Sequence, residues 1–255
     1  MVIGYNLSLW QEYKIKQGID VPLRSHPSLL LTGASGSGKS YALKYLLGKL
    51  LSIHDADLTF CNFKQSEDFR FLEEYGEYFS YTDCAGGLQG FYDSFKRTQT
   101  LSAEFYGTFR ILVFDEFPAF ILSETMKDKK TAEQYKLMIS ELLMLGRSYG
   151  YGVWLVMQRP DSAFFANGAR DNFHMTVSLG NLSKEAKAML YSGEDLPKDH
   201  IYQTGEGIAW IDGQGILQIK YPRIRDLRKL ETKILDCLRR RAQRAGSGAG
   251  RNPFT

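Results

Sequence analysis

The sequence predicts an α/β fold with a mostly parallel central sheet flanked by helices. Short apolar runs alternate with amphipathic helical patterns through residue 179, an order that is typical of right-handed strand–helix–strand units. The chain has 255 residues, of which 44% are hydrophobic and 24% are charged. This length and composition are those of an ordinary globular protein that can bury a large core.

The predicted elements follow one another without an internal repeat or a clear boundary. Apolar and β-branched runs predict strands at residues 2–9, 28–32, 57–62, 110–114, 152–157 and 175–179. Apolar residues three and four positions apart predict helices at residues 41–53, 69–75, 87–101, 131–145 and 183–191. Runs at 208–211 and 216–219 flank a turn sequence, Asp212-Gly213-Gln214-Gly215, which indicates a C-terminal β-hairpin.

The C-terminal part of the chain is basic. A helix is predicted at 226–244, so we assign residues 223–244 to a basic helical tail and 245–255 (AGSGAGRNPFT) to a disordered C-terminus. The net charge of +3 is too small to require a nucleic-acid partner. The basic tail could bind phosphates or could be a solvated helix, and the sequence leaves both roles open.

Cysteine usage and the lack of targeting signals predict the compartment. Three cysteines without metal-binding spacing indicate free thiols in a reducing environment. The first residues lack the charged leader and the apolar block of a signal peptide. No apolar stretch approaches the roughly 18 residues that span a membrane. We therefore expect a cytoplasmic protein.

The strongest motif is a glycine-rich loop at residues 33–40. It fits the pattern G-x-x-x-x-G-K-S/T in full, between a predicted buried strand and a predicted helix. Glycines allow main-chain N–H groups to turn around a phosphate, and the helix N-terminus adds partial positive charge. Lys39 would reach the β- and γ-phosphates of ATP, and the Ser40 hydroxyl would ligate Mg²⁺. The predicted nucleotide-binding residues are Gly33, Ala34, Ser35, Gly36, Ser37, Gly38, Lys39, Ser40 and Tyr41.

Polar side chains end two further predicted strands. Asp115 and Glu116 follow the run at 110–114, and carboxylates at the carboxyl end of a parallel strand face the same crevice as the phosphate loop. Asp115 would hold Mg²⁺, and Glu116 would act as a general base or orient the attacking water. Gln158 ends another apolar strand. If that strand lies beside the Asp115 strand, the Gln158 amide can contact the γ-phosphate or the attacking water.

These motifs resemble the motor domain of the FtsK/SpoIIIE/HerA ATPases, which implies a RecA-like P-loop NTPase fold. The phosphate loop, ILVFDEF at 111–117 and GRSYGYGVWLVMQRP at 146–160 carry the resemblance. GARDNFHMTVSLG at 168–180 and the turn Gly205-Glu206-Gly207 are also similar to that family. The GARDN segment resembles the corresponding segment of the FtsK-like proteins of conjugative plasmids and integrative elements.

The resemblance covers roughly residues 18–222, so we assign residues 1–222 to a P-loop ATPase motor domain. We expect neither an N-terminal membrane anchor nor a C-terminal winged-helix module, which leaves sequence-guided orientation on DNA open. The resemblance implies a homo-hexameric ring with ATP sites between subunits. It also implies an arginine finger from the neighbouring subunit, and Arg147 occupies the matching position. The alternative for Arg147 is an arginine that complements a helix dipole.

The resemblance further implies DNA contacts from loops that face the pore of the ring. Two stretches are candidates, residues 124–130 and residues 159–170. Basic side chains there would follow phosphates without distinguishing bases. The candidate DNA-binding residues are Lys127, Lys129, Lys130, Arg159 and Arg170. The lysines could instead lie in a solvated loop, and Arg170 could form an ion pair.

The sequence leaves three functions open. The first is an ATP-driven DNA translocase that acts as a ring, uses ATP and Mg²⁺, and serves DNA transfer or replication of a mobile genetic element. A relaxase, a replication protein or a membrane transfer protein would be its further partner. The second is a non-motor P-loop ATPase that loads or recruits a protein partner. The third is a phage packaging or conjugative coupling ATPase, which shares the site and differs in the partner.

Overall fold

The computed structural model describes residues 1–101, 108–165, 168–197 and 200–246. Its strands are β1 Val2–Asn6, β2 Gly18–Asp20, β3 Leu29–Gly33, β4 Ala56–Asn62, β5 Tyr78–Ser80, β6 Phe109–Asp115, β7 Tyr151–Met157, β8 Met175–Leu179, β9 Glu206–Ile211 and β10 Gly215–Lys220. Its α-helices are α1 Leu7–Tyr13, α2 Lys39–Ile53, α3 Cys84–Thr100, α4 Phe117–Lys127, α5 Lys129–Leu145, α6 Lys184–Leu190 and α7 Leu227–Gly246.

All ten strands form one sheet in the order β2-β1-β10-β9-β8-β3-β7-β6-β4-β5. The strands from β8 to β5 in this order pair in parallel. β9, β10, β1 and β2 extend the sheet with antiparallel pairs. The predicted α/β class with a mostly parallel sheet is therefore confirmed, and β9 and β10 form the predicted C-terminal hairpin.

Helices cover both faces of the parallel strands, because successive side chains of a strand point to opposite faces. Leu29 and Leu31 of β3 pack in a cluster with α2 and α7. Leu30 packs on the other face with α3, α4 and α5. Every residue of β3 and β7 is buried, which explains their nearly continuous apolar sequences. The sheet is thus the rigid centre from which the polar strand ends project.

Three predicted elements were wrong in extent or type. The strand predicted at 2–9 ends at Asn6, because the Asn6 side chain accepts a hydrogen bond from the Leu9 N–H (3.1 Å) and caps α1. The helix predicted at 69–75 is a 3₁₀ helix over Glu67–Leu72, which begins after a Ser66 cap. Residues 124–130, expected to lie in a loop, instead span the end of α4 and the start of α5, and α4 has a proline in its first turn.

The predicted basic helix is present as α7, and it packs on the sheet domain. Ile234 and Leu238 are each 1% exposed and belong to the cluster around α2. Arg241 donates hydrogen bonds to the carbonyl oxygens of Leu51, His54 and Ala56. The segment predicted to be disordered from residue 245 begins inside α7, and residues 247–255 lie outside the described residues.

The state of the cysteines agrees with the sequence. Cys61, Cys84 and Cys237 are free, as the sequence predicted. Burial raises the pKa of the Cys61 thiol. Across the ranges that the structure describes, the helices are too short or too polar to pass through a lipid bilayer.

Candidate nucleotide-binding site

The glycine-rich loop connects β3 to α2 by a path that only glycine permits at two positions. A Cβ atom on Gly33 would lie 2.5 Å from the Leu179 carbonyl oxygen, because the loop passes close to the end of β8. Gly38 caps α2 with a φ of 98°, a left-handed conformation that side chains disfavour. The loop therefore ends at the N-terminus of a 15-residue helix that is buried along most of its length, which is an anion-binding arrangement.

Lys39 begins this helix and turns back over the loop. Its Nζ donates hydrogen bonds to the carbonyl oxygens of Gly33 (2.6 Å) and Ala34 (3.0 Å). Burial lowers the pKa of Lys39, and the negative charges of Glu116 and Asp115 oppose that effect. The ammonium group therefore lies in the field of both carboxylates of the predicted acidic pair.

The phosphate loop shares a cleft of about 310 Å³ with the predicted strand-end residues. The loop and α2 supply one wall, and the carboxyl ends of β6 and β7 supply another. The lining residues are Ser35, Gly36, Gly38, Lys39, Ser40, Tyr41, Lys64, Ser66, Asp68, Asp115, Glu116 and Gln158. The structure thus brings together Lys39, Asp115, Glu116 and Gln158.

Strand order explains why these groups meet. β7 lies between β3 and β6, so Gln158 projects between the phosphate loop and the acidic pair. Residue pairs Thr32–Met157 and Asp115–Val156 are in register. The polar residues that follow these strands therefore leave the sheet at the same edge.

Asp115 is a buried carboxyl group at this edge. It is 7% exposed, and burial, together with the charge of Glu116, raises its pKa to about 7. The positive charges of Lys64 and Lys39 oppose this shift. A carboxylate held in such a place is stabilised by a neighbouring cation.

Glu116 occupies a strained position between β6 and α4. Its φ of 61° and ψ of 46° are left-handed, a conformation that costs a non-glycine residue roughly 1 kcal/mol or more. The Gln158 Nε2 donates a hydrogen bond to Glu116 Oε1 over 3.1 Å. The turn and the amide together fix the carboxylate at the mouth of the cleft.

Ser40 and Asp115 fit a magnesium ion. Both residues line the cleft, and a hydroxyl with a carboxylate is the hard oxygen donor set that Mg²⁺ prefers. Mg²⁺ commonly takes only one or two protein ligands and completes its shell with phosphates and water.

The Tyr41 side chain ties the phosphate loop to the end of the sheet. Its hydroxyl donates to the Pro222 carbonyl oxygen (3.2 Å) and accepts a bond from the Ile224 N–H. Gly205 N–H donates to the Ser37 carbonyl oxygen over 2.9 Å. The segment before β9 therefore contacts the loop directly, and the segment after β10 contacts the first turn of α2.

The cleft contains three residues that the motifs did not identify, Lys64, Ser66 and Asp68. They follow β4, which pairs in parallel with β6 so that Asn62 lies opposite Asp115. The signal that could have found them was present, because the predicted strand at 57–62 should end at the same edge as the other parallel strands.

Arg147 lies at the amino end of β7, on the side of the sheet opposite the carboxyl ends of the strands that line the cleft. It belongs to a 3₁₀ helix, Gly146–Tyr149, just before β7 begins. Burial lowers the pKa of His174 to about 4, and the positive charge of Arg147 adds to this shift. His174 directly precedes β8. Arg147 is therefore remote from the cleft of its own chain, and its action on a neighbouring subunit stays a prediction.

The five candidate DNA-binding residues lie in three places. Lys127 ends α4 and pairs with Glu124 at 2.7 Å, while Lys129 and Lys130 begin α5. Arg159 follows β7 near the cleft edge, and Arg170 lies in a 3₁₀ helix before β8. The expected lysine loop is thus a corner between two helices, capped by Asp128. Arg170 forms the alternative ion pair, with Asp171 at 3.0 Å.

A larger cavity of about 600 Å³ lies between α3 and α7, beside the first half of β4. Two of the arginines that line it, Arg110 and Arg241, have structural contacts. Arg241 bonds to main-chain carbonyl oxygens, and the Arg110 guanidinium lies 5.3 Å from the Tyr151 ring centre. The smaller cleft, where charged groups of both signs converge on a phosphate loop, is the candidate functional site.

Comparison with known proteins agrees with this assignment. No family model matches the chain. The FtsK domain-containing protein YdcQ of Bacillus subtilis is 28% identical over 211 residues, which cover 77% of this chain and 43% of YdcQ. This chain therefore spans less than half the length of that relative.

Solved structures show the same fold. The pCW3 conjugation coupling protein TcpA, in its monomer form with ATPγS, has a TM-score of 0.72 and 22% identity over 92% of this chain and 69% of TcpA. EssC (ATPases 2 and 3) from Geobacillus thermodenitrificans has a TM-score of 0.68 and 14% identity over 95% of this chain and 49% of EssC. EccC (ATPases 2 and 3) from Thermomonospora curvata, in complex with a signal sequence peptide, has a TM-score of 0.60 and 13% identity over 89% of this chain and 41% of EccC. The predicted resemblance is thus confirmed: the chain is similar to FtsK domain proteins and has the fold of FtsK/HerA-type P-loop ATPases.

Proposed function

We propose that the chain is an ATP-hydrolysing DNA translocase that acts as a homo-hexameric ring. Its setting would be DNA transfer or replication of a mobile genetic element, in the cytoplasm. The observation that carries this proposal is the convergence of the phosphate loop with Asp115, Glu116 and Gln158 in one cleft. A phosphate cradle beside a water-activating carboxylate is the arrangement that nucleotide hydrolysis requires.

Each side chain has a role that follows from its place. The main chain of the loop and Lys39 would bind the phosphates, and Ser40 with Asp115 would hold Mg²⁺, which neutralises charge on the phosphate oxygens. Glu116 would orient water and accept its proton. Gln158 donates to Glu116, so movement of this carboxylate during hydrolysis would be transmitted to the loop that carries Arg159.

DNA is the proposed substrate because of the nature of the relatives and the placement of basic groups. TcpA is named as a conjugation coupling protein, and conjugation moves DNA. Arg159 directly follows the β7 strand that carries Gln158 to the cleft. Lys127, Lys129, Lys130 and Arg170 remain candidates for phosphate contacts, and a relaxase, a replication protein or a membrane transfer protein for the loading partner.

A protein-handling ATPase is the second candidate function. EccC is a type VII secretion ATPase, and it was solved with a signal sequence peptide. The fold alone does not distinguish DNA from protein as the cargo. In this alternative the chain would recruit or load a protein partner, and the basic residues would serve docking or solubility.

Steady-state ATP hydrolysis with and without DNA separates the two functions. We expect duplex or single-stranded DNA to stimulate the wild-type rate several-fold. A hydrolysis rate that DNA leaves unchanged and that a peptide or protein partner raises would favour the second function. Lys39→Ala is the matched control and should abolish hydrolysis under every condition.

The variant Glu116→Gln tests the role of the acidic pair within the same assay. It keeps the shape and the hydrogen bond to Gln158 but removes the base. We expect nucleotide binding to persist while hydrolysis falls about 100-fold or more. Wild-type turnover by this variant would show that Glu116 does not activate water.

A further inference from the structure

A rigid turn after β4 carries a second lysine to the nucleotide cleft. Asn62 at the end of β4 is fully buried, and its side chain closes the turn on both sides. Its Nδ2 donates to the Ser66 carbonyl oxygen (3.1 Å) and to the Tyr78 hydroxyl (2.9 Å), and its Oδ1 accepts from the Ser66 N–H (3.0 Å). The turn between these residues presents Lys64.

The same turn is tied to the strand that carries the acidic pair. Phe63 N–H donates to the Asp115 carbonyl oxygen over 3.3 Å, and Gln65 N–H donates to the Asn62 carbonyl oxygen over 3.2 Å. Gln65 adopts a left-handed φ of 54°. A non-glycine residue keeps such a conformation only where its surroundings enforce it. Lys64 is therefore held at a defined place beside Asp115.

Lys64 has no direct polar contact within the described ranges, although its charge acts on Asp115. It forms neither a hydrogen bond nor an ion pair there, although it lines the cleft. Lys44, by contrast, pairs with Glu231 at 2.7 Å, and Lys127 pairs with Glu124 at 2.7 Å. An ammonium group left unpaired in a cleft that already contains a phosphate loop is available to an anion.

Strand order sets Lys64 on the side of the acidic pair that lies away from Lys39. The order β3-β7-β6-β4 sets the acidic pair between Lys39 and Lys64. Strands lie about 4.8 Å apart, so β4 lies roughly 14 Å from β3. A glycine-rich loop of this kind cradles the β- and γ-phosphates, and the carboxylate that activates water would lie beside the γ-phosphate. Lys64 lies on the outer side of that carboxylate.

We propose that Lys64 binds the terminal phosphate of a nucleoside triphosphate and thereby distinguishes it from a diphosphate. This inference rests on the nucleotide site of the proposed function. It assigns the residue a positioning and specificity role, because its charge would reach the outermost phosphate from the side of the acidic pair that lies away from Lys39. A diphosphate bound by the same loop would leave Lys64 without its contact.

The test is to titrate ATPγS and ADP, each with Mg²⁺, into the wild-type chain and into Lys64→Ala. We expect affinity for ATPγS to fall about tenfold or more and affinity for ADP to change less than about twofold, because a charge-assisted hydrogen bond to one phosphate is lost. Lys64→Arg should recover part of the ATPγS affinity. Lys184→Ala, at an exposed position on α6, is the matched control and should bind both nucleotides as the wild type does.

Two results would overturn the inference alone. One is an equal loss of affinity for both nucleotides in Lys64→Ala, which would make Lys64 a general electrostatic or structural residue. The other is unchanged affinity for ATPγS. If the wild-type chain binds neither nucleotide, the proposed function fails with the inference. If the wild-type chain binds both nucleotides but DNA does not change its hydrolysis rate, only the DNA translocase assignment fails. The comparison of ATPγS with ADP then still decides the role of Lys64.

Discussion

At the scale of one residue, Asp115 shows how the cleft lowers the stability of the folded protein. Its carboxyl group is buried beside Glu116, so its pKa rises from 3.8 to about 7. An acid whose pKa is raised on folding binds more protons in the native state than in the unfolded chain. Its burial therefore weakens stability increasingly as the pH rises from about 4, and the full cost of roughly 4 kcal/mol is present above about pH 7.

The first prediction concerns Asp115→Asn, which keeps the shape and removes the charge. In the absence of nucleotide and Mg²⁺, this variant should be more stable than the wild type at pH 8. The gain in free energy of unfolding should be about 2–3 kcal/mol larger at pH 8 than at pH 5, because the wild-type carboxyl is mostly protonated in the native state at pH 5. Urea denaturation at both pH values measures it.

Asp195→Asn is the control for this effect, since Asp195 is exposed and its substitution should give the same small change at both pH values. A gain for Asp115→Asn that does not depend on pH would mean that the Asp115 carboxyl is not destabilised by burial. Loss of stability at pH 8 would mean that the ionised group has a favourable partner in the free protein.

Elements were predictable where local patterns decide them. The βα units and the β9–β10 hairpin follow from periodicity and turn residues, and the phosphate loop, Asp115 and Glu116 follow from motif spacing. The motifs could not predict Lys64, because it belongs to no motif and enters the cleft only through the pairing of β4 with β6. Helix α4 was missed because its apolar residues follow the acidic pair without the usual N-cap side chain.

The role of α7 also depended on tertiary contacts. Its sequence is basic enough to indicate a solvated or phosphate-binding tail, yet Ile234 and Leu238 are buried against the α2 side of the sheet. Arg239 pairs with Glu74, and Lys44 of α2 pairs with Glu231. Two basic side chains of the helix, Arg239 and Arg241, are therefore paired with acidic groups of the same fold.

The second prediction tests this element. Leu238→Ala should lower the free energy of unfolding by about 2–4 kcal/mol, since Leu238 is 1% exposed and its removal leaves a cavity. Arg240→Ala is the matched control on the same helix, because among the described residues its guanidinium forms hydrogen bonds only to Asp236 and Cys237 of α7, and it should cost less than about 0.5 kcal/mol. Equal, small effects in urea denaturation would indicate a helix that is detached from the domain.

At the scale of the whole molecule, the cleft lies at the carboxyl ends of the parallel strands and Arg147 lies at their amino ends. The residues that line the cleft supply two lysines as cations, Lys39 and Lys64, and Arg147 is not among them. A head-to-tail ring brings one edge of a subunit against a different surface of the next. The proposed ring would therefore let Arg147 act on a site other than that of its own chain.

The third prediction concerns two inactive variants that should restore each other. Arg147→Ala keeps Glu116 but offers its neighbour no arginine, and Glu116→Gln keeps Arg147 but cannot activate water. Each alone should hydrolyse ATP at least about 100-fold more slowly than the wild type. If Arg147 acts between subunits, a site becomes active when an Arg147→Ala subunit receives the arginine of a Glu116→Gln neighbour.

In an equal mixture of freely exchanging subunits, that arrangement occurs at about a quarter of the head-to-tail interfaces. Hydrolysis by the mixture should therefore approach a quarter of the wild-type rate when interfaces act independently. An arginine that serves its own chain gives the opposite result, because every subunit in the mixture then lacks either Glu116 or Arg147. If the hydrolysis rate of the mixture stays at the sum of the rates of the two separate variants, Arg147 does not act across an interface. A mixture of Arg147→Ala with Lys39→Ala should give the same result, because Lys39→Ala also keeps its arginine.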